Sequence, residues 1–477
     1  MPVTELSGRL QAVDVGRRDF EMLKSKMAKK EAASYTLFSN RALAALIFPL
    51  VVEQVLAITV GMVDTMMISY AGEAAISGVS LVDMINTVVI NIFAAVATGG
   101  SVVISQYIGK KSSGQACNAA DQLLMITGLI SIGIMALTLV GRQPLLALLF
   151  GSIEADVMEN ALIYLIISAY SYPFLAVFNS CAAVLRSIGN SRLPMYVSVG
   201  MNVMNVIGNA ILIFGFSMGV AGAAWSTFAA RAMAAIVMFC ILLKRNYEVY
   251  LTPRRIFAWE GSLIRKILFI AVPSGVENGI FQFGRVIVVS IIAKFGTVQI
   301  AANAVANNLD AMGCIAGQAM NLAMITVVGQ CIGAGDEEQA AYYIKKLLKI
   351  TYLFTWCVNS VIMLALPWIL RIYTLSDEAR QLAFWLVVVH NGFAMVLWPA
   401  SFTLSHALRA TGDVKYTMVV SIFSMWAFRI CFSAVLGVYL GLGAMGVWIA
   451  MVMDWVFRVT LFVTRFIRGK WKGKRIV

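Results

Sequence analysis

Long apolar stretches, separated by short polar segments, run through most of the chain. The stretches are continuous and do not alternate between polar and apolar positions, so they predict membrane-crossing helices and not the strands of a membrane barrel. A helix needs about 20 apolar residues to cross the hydrocarbon core of a bilayer. On this basis we predict twelve spans, at residues 42–70, 76–107, 118–141, 157–186, 193–215, 219–243, 265–293, 299–332, 340–370, 379–408, 416–439 and 444–467.

The composition agrees with this pattern. Of the 477 residues, 60% are hydrophobic and 13% are charged, whereas about 25% of the residues in a soluble domain are charged. This composition excludes a soluble enzyme, a disordered protein and a fibrous repeat.

The basic residues indicate how the chain is threaded through the membrane. The N-terminal tail, the even-numbered loops and the C-terminal tail, each counted with the span ends next to it, carry 29 of the 37 Lys and Arg residues, and the odd-numbered loops counted in the same way carry four. Because cytoplasmic loops are enriched in Lys and Arg, we predict a multi-pass protein of the cell membrane with both termini in the cytoplasm. The same distribution accounts for most of the net charge of +13, so we expect no nucleic acid partner.

The two halves of the chain repeat one another. Glu53 in FPLVVEQ matches Glu277 in VPSGVEN at an offset of 224, and the motifs LRSIGN and LRATGD match at an offset of 223. Further pairs at the first of these offsets are Pro49 and Pro273, Gly72 and Gly296, Gln106 and Gln330, and Gly109 and Gly333. Six spans are an even number, so both halves enter the membrane from the same side. We predict an all-α integral membrane protein of twelve transmembrane helices in two parallel six-helix repeats.

The repeat sets the domain organisation. We predict an N-terminal tail at 1–41, an N-lobe of spans 1–6 at 42–243, an inter-lobe loop at 244–264, a C-lobe of spans 7–12 at 265–467, and a basic tail at 468–477. Both tails and the inter-lobe loop are expected in the cytoplasm. Two such lobes usually enclose a central cavity and give alternating access by rocking against each other.

Charged residues inside spans are costly and point to function. The first half holds Glu53, Asp64 and Asp83 but only one arginine away from the span ends, Arg231. Two carboxylates therefore lack a counter-charge, and each must hold a proton or bind a cation in the low-dielectric interior. Asp83 lies near a span edge, so contact with water is the alternative for it. Glu53 and Asp64 are eleven residues apart and share one face of span 1.

Polar residues in spans 5 and 6 have the chemistry of cation ligands. Asn202, Asn205 and Asn209 recur at spacings of three and four, on one helix face, and span 6 offers Ser226 and Thr227. Carboxylate, amide and hydroxyl oxygens are ligands that a hard cation such as Na⁺ prefers. The alternative is that the asparagines only join helices by hydrogen bonds.

Charges inside the spans of the second half balance. The acids are Glu277, Asp310 and Asp454, and the arginines are Arg285, Arg429 and Arg458. Asp454 and Arg458 have the i, i+4 spacing of a structural ion pair. A polar stripe on span 8 is formed by Asn303, Asn307 and Asp310. Together with Glu277 and Arg285, the residues Asn307 and Asp310 either contact substrate or form a closed internal network, and the balanced charge favours the network.

Neither catalysis nor a bound cofactor is indicated. The chain has only two histidines, and its seven cysteines are scattered singly without a CxxC motif. Glu53 and Asp64 lie about 16 Å apart along a helix that rises 1.5 Å per residue, which is too far for acid–base work on one bond. We expect no enzyme activity and no cofactor apart from a coupling ion.

Several motifs together resemble the multidrug and toxic compound extrusion (MATE) family. They are VDTMMIS in span 1, LRSIGNSRLPM after span 4, NVIGNAILIFG in span 5, GVAGAAWST entering span 6, and AANAVANNL and VVGQCIGAGD in span 8. The resemblance covers residues of about 42–468. It implies export of organic cations, drugs and other xenobiotics, driven by an inward gradient of sodium or protons.

The resemblance also implies roles for individual residues. Asp64 matches the acidic cation-site residue of the family, and Asn205, Asn209 and Thr227 match its partners. With Glu53 these residues form the predicted coupling site, and Asp64, Asn205 and Asn209 would hold Na⁺ if sodium is the coupling ion.

Two positions depart from the pattern of some family members. Those members have an aspartate at the position of Asn209 and a carboxylate at the position of Trp398. In addition, Glu277 lies one turn earlier than the glutamate of that branch. We therefore expect no cation site of that type in the C-lobe.

We predict a secondary active antiporter that exports small amphipathic organic cations, drugs or other xenobiotics in exchange for Na⁺ or H⁺, as a monomer in the lipid bilayer. The main alternative is a lipid-linked precursor flippase of the same broad superfamily, which would favour a basic cavity, whereas the interior of the first half is net acidic. A channel is a weaker alternative, because the repeat and the proline-interrupted spans suit alternating access. The prolines concerned are Pro49, Pro173, Pro273 and Pro399.

Overall fold

Twelve helices long and apolar enough to cross a membrane make up most of the protein. The computed structural model describes residues 37–151, 154–373 and 375–477. The twelve helices are α1 (Asn40–Ser69), α2 (Glu73–Gly109), α3 (Ser113–Val140), α4 (Ala155–Ser187), α5 (Arg192–Gly215), α6 (Gly219–Leu243), α7 (Gly261–Ala293), α8 (Thr297–Gly333), α9 (Glu337–Ile372), α10 (Asp377–Ala410), α11 (Val414–Tyr439) and α12 (Gly443–Ile467). Most of the predicted N-terminal tail, at 1–36, lies outside the described residues.

These helices confirm the twelve predicted spans. The boundaries differ by a few residues, because polar first turns extend several helices beyond their apolar stretch. For example, α3 begins at Ser113 instead of residue 118, and α7 begins at Gly261 instead of residue 265. Two short helices, Arg142–Phe150 and Pro253–Ile256, lie in the connections after α3 and α6.

Residues Ala44–Val477 form one compact unit that contains both halves. In the first half α2 packs against α4, and α4 packs against α3 and α6. In the second half α8 packs against α9 and α10, and α10 packs against α12. The halves meet where α2 packs against α8. The most enclosed helices, α2, α4 and α8, therefore form the centre of the unit.

Helix α7 belongs to the cores of both halves. Its first turns pack against α2 and α3 and place Ile267 and Ile270 in the main apolar core of the first half. Its last turns place Val288 and Ile292 in the core of the second half. The predicted lobe boundary at residue 264 stays a prediction.

Reciprocal hydrogen bonds join the halves at one end of the bundle. We call this the basic end; it is the end at which the even-numbered helices finish, at Gly109, Ser187, Leu243, Gly333, Ala410 and Ile467. Gln106 Nε2 donates to the Ala410 carbonyl oxygen at 2.9 Å, and Gln330 Nε2 donates to that of Ser187 at 2.6 Å. The two glutamines are equivalent positions of the repeat, and so are the two acceptors. The two bonds are thus related by pseudo-twofold symmetry, as parallel repeats require.

Two glycines allow the halves to come this close. A Cβ atom on Gly109 would overlap with the carbonyl oxygen of Gln330, and one on Gly333 would overlap with that of Gln106. The backbones of α2 and α8 are therefore in direct contact at the basic end. Among the described residues, the hydrogen bonds between the two halves all lie toward this end.

The C-terminal residues 468–477 lie against the basic end and contact both halves. Trp471 is buried, with its Nε1 donating to a backbone carbonyl at 3.1 Å. The backbone nitrogen of Gly473 donates to Glu337 Oε1 at 2.7 Å, and that of Ile476 donates to Gln106 Oε1 at 3.0 Å.

Candidate functional site

Asp64 of α1 lies against the polar face of α5. Its Oδ1 accepts a hydrogen bond from Asn209 Nδ2 at 2.7 Å. The hydrogen-bond network orients the Asn205 amide with its nitrogen toward the same carboxylate, 2.8 Å from Oδ1 and 3.1 Å from Oδ2. The structure therefore brings together three of the predicted coupling residues, from two helices.

Helix α6 completes this group through Thr227. In the same amide orientation, Asn205 Oδ1 accepts from Thr227 Oγ1 at 3.1 Å. The neighbouring Ser226 donates from Oγ to the Asn205 backbone carbonyl at 2.7 Å, which fixes the register of α6 against α5. Gly208 makes this approach possible, because a Cβ atom there would overlap with Ser226 Oγ.

The backbone of α5 changes immediately after the site. Residues Arg192–Asn209 are α-helical, and Ala210–Gly215 form a π-helical segment. Such segments are rare and occur frequently at functional sites. Asn209 is thus the last α-helical residue of α5, next to a segment of altered helical winding.

Other charged groups face the same region. Asp83 of α2 and Arg231 of α6 are close enough to interact electrostatically with Asp64. Asp83 Oδ1 accepts from Asn86 Nδ2 at 3.2 Å, and Arg231 Nη1 donates to Ser171 Oγ at 2.7 Å. Neither aspartate has a basic side chain within ion-pair distance among the described residues. The region thus holds two carboxylates and one guanidinium group.

The position of Glu53 corrects the charge balance drawn from the sequence. Glu53 Oε1 lies 2.5 Å from Arg186 Nη2, and both side chains are mostly buried. Arg186 is the last residue of predicted span 4 and was grouped with the basic residues of the loop that follows, not with the charges inside the spans. One surplus carboxylate therefore remains in the first half, not two. Glu53 also makes no described hydrogen bond to Asp64 or its partners.

The second half contains the equivalent ion pair. Glu277 Oε1 lies 2.6 Å from Arg409 Nη2, and the repeat matches these two residues with Glu53 and Arg186. The duplicated LR motif was the signal in the sequence that could have identified both pairs. Arg285, which was predicted to share a polar group with Glu277, has no ion-pair partner among the described residues.

The remaining polar residues of the second half divide into separate groups. Asp310 Oδ1 lies 3.0 Å from Nε2 of the buried His390, a partner that the sequence pattern did not predict. Asn307 and Arg285 line a small cavity of about 40 Å³, which has room for water but not for an organic substrate. The predicted pair of Asp454 and Arg458 forms at 3.0 Å.

The group around Asp64 has the chemistry of a site for a hard monovalent cation or a proton. Its oxygen atoms come from one carboxylate, two amides and one hydroxyl group. Asn209 Oδ1 is buried and accepts no hydrogen bond from the described residues. The described residues contain no group of three or more His, Cys, Asp or Glu side chains able to hold a metal ion.

Known proteins match this chain over most of its length. It is 28% identical over 454 residues to an uncharacterized transporter, YisQ, of Bacillus subtilis (strain 168), covering 92% of this chain and 96% of the relative. It is 26% identical to a probable multidrug resistance protein, NorM, of Thermotoga maritima, covering 96% of this chain and 98% of the relative.

Solved structures share the fold. One, described as MATE in the bent conformation, superposes with a TM-score of 0.84 at 21% identity, covering 90% of this chain and 96% of that one. A second, an outward-facing conformation of a multidrug resistance MATE family transporter of the MOP superfamily, gives the same TM-score, identity and coverage.

The family model named MatE matches twice, at residues 49–211 and 273–457. The two matches begin at Pro49 and Pro273, which are equivalent positions of the internal repeat, so the family model recovers that repeat independently. Together the matches cover more than half of the chain. Members of this family are transporters and not enzymes. The chain belongs to the MatE family of membrane transporters.

Proposed function

We propose that this transporter is a secondary active antiporter that exports small amphipathic organic compounds, mainly cationic ones, in exchange for Na⁺ or H⁺. The observation that carries the proposal is the environment of Asp64. Its carboxylate is held by the amides of Asn205 and Asn209 and has no ion-pair partner among the described residues. The substrate class is supported by the relatives that are named multidrug resistance proteins.

The group around Asp64 is suited to bind a cation reversibly. Without a cation, the amide nitrogens of Asn205 and Asn209 stabilise the ionised carboxylate by charge-assisted hydrogen bonds. Rotation of the Asn205 amide by half a turn directs its oxygen, instead of its nitrogen, at the Asp64 carboxylate. A Na⁺ ion or a proton on Asp64 would then be the partner of this oxygen. The buried Asn209 Oδ1, which lacks a donor among the described residues, is available as a further ligand.

Binding at this site would change how three helices pack. Asp64 lies on α1, Asn205 and Asn209 on α5, and Thr227 on α6. A cation shared by these side chains neutralises the surplus carboxylate of the region and draws the helices together. Antiport then requires that the cation and the substrate stabilise different conformations of the transporter.

The contacts at the basic end support an outward-open conformation. Basic loops favour the cytoplasm, so we assign the basic end, and both termini, to the cytoplasmic side of the cell membrane. The backbones of α2 and α8 touch at this end, through Gly109 and Gly333. A transporter closed there takes up its coupling ion from outside. Labelling of single cysteines at Lys110 and Tyr70, which are both exposed, with a membrane-impermeant maleimide in intact cells tests the assignment.

The flippase alternative is less well supported. A carrier of a lipid-linked pyrophosphate would favour a surplus of positive charge in its cavity. Around Asp64 the surplus is negative, since Asp64 and Asp83 share a single basic neighbour, Arg231, in the part of the chain that the structure describes. This charge attracts a cationic partner.

Transport by the purified protein in sealed vesicles tests the proposal. We expect efflux of a fluorescent organic cation when either a sodium gradient or a proton gradient is imposed, but not with equal ions on both sides. The gradient that drives efflux identifies the coupling ion. Flux of equal rate without either gradient would contradict antiport. The same preparation reports the oligomeric state, for which we propose a monomer.

A further inference from the structure

A second polar cavity lies at the basic end. None of the residues grouped around Asp64 lines it. It has a volume of about 650 Å³ and is formed by the start of α7, the turn between α10 and α11, the start of α11 and the C-terminal residues. Five of its lining side chains are basic and one is acidic. The function proposed above assigns no role to this cavity.

The charge of the cavity is not neutralised from within. Its one acid, Asp413, is already engaged, with Arg465 Nε at 2.8 Å and Lys474 Nζ at 2.6 Å. The other basic residues of the lining have no acidic partner among the described residues: Arg265, Lys266, Lys415 and Arg475. Four cationic groups that converge on one opening create a site for an anion.

An apolar surface continues from the cavity along α7. Phe269, Val272 and Val276 follow Arg265 at i+4, i+7 and i+11, so they lie on the same helix face. All three side chains are exposed at the surface of the protein. Arg265 therefore lies at the cavity end of an exposed apolar stripe, which is suited to contact a hydrocarbon chain.

Helix α11 carries a matching stripe. Lys415 is followed at i+4 and i+11 by the exposed side chains of Val419 and Trp426. The two helices pack together, with Lys415 Nζ 5.7 Å from the centre of the Phe269 ring. Further along, the rings of Phe283 and Trp426 are 6.5 Å apart. The two exposed apolar stripes therefore lie side by side, and both begin at the basic cavity.

We propose that this cavity binds the phosphate headgroup of an anionic phospholipid, with an acyl chain of that lipid lying along the exposed apolar stripes of α7 and α11. The charge of the four unpaired basic groups selects an anionic headgroup over a zwitterionic one. The apolar stripes select a lipid over a soluble phosphate, because a soluble phosphate gains nothing from them. Basic pockets at the cytoplasmic ends of membrane helices are suited to such headgroups.

A bound lipid would also hold parts of the chain together. The cavity walls come from α7, from the turn before α11 and from the C-terminal residues, and Lys266 Nζ in addition donates to the Tyr107 hydroxyl of α2 at 2.9 Å. A ligand that binds only the folded protein stabilises it by mass action. We therefore expect anionic lipid to raise the thermal stability of the delipidated transporter.

Titration of the full-length, delipidated protein in detergent tests the proposal, with bound lipids counted by native mass spectrometry. Phosphatidylglycerol is expected to bind at least about tenfold more tightly than phosphatidylcholine, because each basic group near the headgroup contributes to the selectivity. The double variant Arg265→Gln with Lys415→Gln is expected to lose about thirtyfold in affinity for phosphatidylglycerol and to keep its affinity for phosphatidylcholine.

A matched control removes the same charge elsewhere at this end of the molecule. Arg254 and Lys345 are exposed and do not line the cavity, so Arg254→Gln with Lys345→Gln is expected to bind phosphatidylglycerol within about twofold of the unmodified protein. An equal loss in both double variants would overturn the proposal. So would displacement of the lipid by glycerol 3-phosphate at concentrations similar to those of the lipid, since a soluble phosphate would then be the occupant.

The unmodified protein provides a test that does not depend on any variant folding. Raising the NaCl concentration from about 0.1 to 1 M shortens the Debye length from about 10 to 3 Å. Binding of phosphatidylglycerol is expected to weaken and binding of phosphatidylcholine to stay constant. Equal affinity for the two lipids at the lower concentration would overturn the proposal by itself.

Discussion

Glu53 of α1 and Arg186 of α4 form an ion pair at 2.5 Å. The second half repeats this contact between Glu277 of α7 and Arg409 of α10 at 2.6 Å. Each pair joins the first helix of a half to its fourth helix. The charge of Glu53 is therefore satisfied inside its own half, which leaves Asp64 as the carboxylate of α1 without an ion-pair partner among the described residues.

The ion pair in the first half is expected to be structural. Arg186→Gln leaves Glu53 as a mostly buried carboxylate without its counter-charge and should destabilise the protein by about 3 kcal/mol. The double variant Glu53→Gln with Arg186→Gln should cost clearly less than the sum of the two single substitutions. Thermal unfolding of the purified protein in detergent measures all three. Additive costs would show that the two groups do not interact.

Asn209 is expected to contribute directly to cation binding. Asn209→Ala removes the hydrogen bond to Asp64 at 2.7 Å and the buried Oδ1. The lost hydrogen bond stabilises the cation-free carboxylate, whereas the lost Oδ1 would be a ligand of the bound cation. We expect loss of the ligand to outweigh loss of the hydrogen bond, so the concentration of the driving ion needed for half-maximal efflux should rise. Asn202→Ala, on the same face of α5, is the matched control. If both variants respond alike, the stripe only joins helices.

Closure of the basic end is expected to depend on the missing side chain at Gly109. Gly109→Ala places a methyl group on the carbonyl oxygen of Gln330, so α2 and α8 must separate. Gly114→Ala is the control, because a Cβ atom there meets no atom within 4 Å. Spin labels at the exposed Lys110 and Ala334 report the distance between the halves. We expect longer distances in Gly109→Ala alone; an unchanged distribution would contradict the closed arrangement.

Asp310 and His390 are expected to stabilise the folded second half of the protein and not to contact the exported substrate. His390 is buried, with its ring against those of Trp448 and Trp455 at centre distances of 5.1 and 4.8 Å. Asp310→Asn should lower the thermal midpoint by several degrees and leave the KM for exported compounds within about twofold. A large change in KM at unchanged stability would make Asp310 a substrate contact.

The architecture was predictable because a bilayer imposes strong rules on sequence. A helix that crosses the membrane needs a long apolar stretch, so all twelve spans are visible in the pattern. The repeat was visible because residues with strict geometric roles recur at fixed offsets. Gly109 and Gly333 allow contact between backbones, and Gln106 and Gln330 make the reciprocal hydrogen bonds.

The side-chain partners were only partly predictable. Asp64, Asn205 and Asn209 could be grouped because few other residue types supply oxygen ligands within spans. Arg186 was missed because its position at a helix end suggested a loop, although its long side chain reaches back to Glu53. The pairing of His390 with Asp310 connects two spans that are far apart in the sequence. A single histidine in an apolar span has no periodic signal, so this contact required the structure.

The central claim is that Asp64 couples ion flow to export. The most direct measurement is gradient-driven efflux of a fluorescent organic cation from vesicles that contain the Asp64→Asn variant. The control is Asp156→Asn, which removes an exposed carboxylate at the start of α4. We predict that Asp64→Asn abolishes the response to the sodium or proton gradient, whereas Asp156→Asn responds like the unmodified protein. Full gradient-driven efflux by Asp64→Asn would contradict the account.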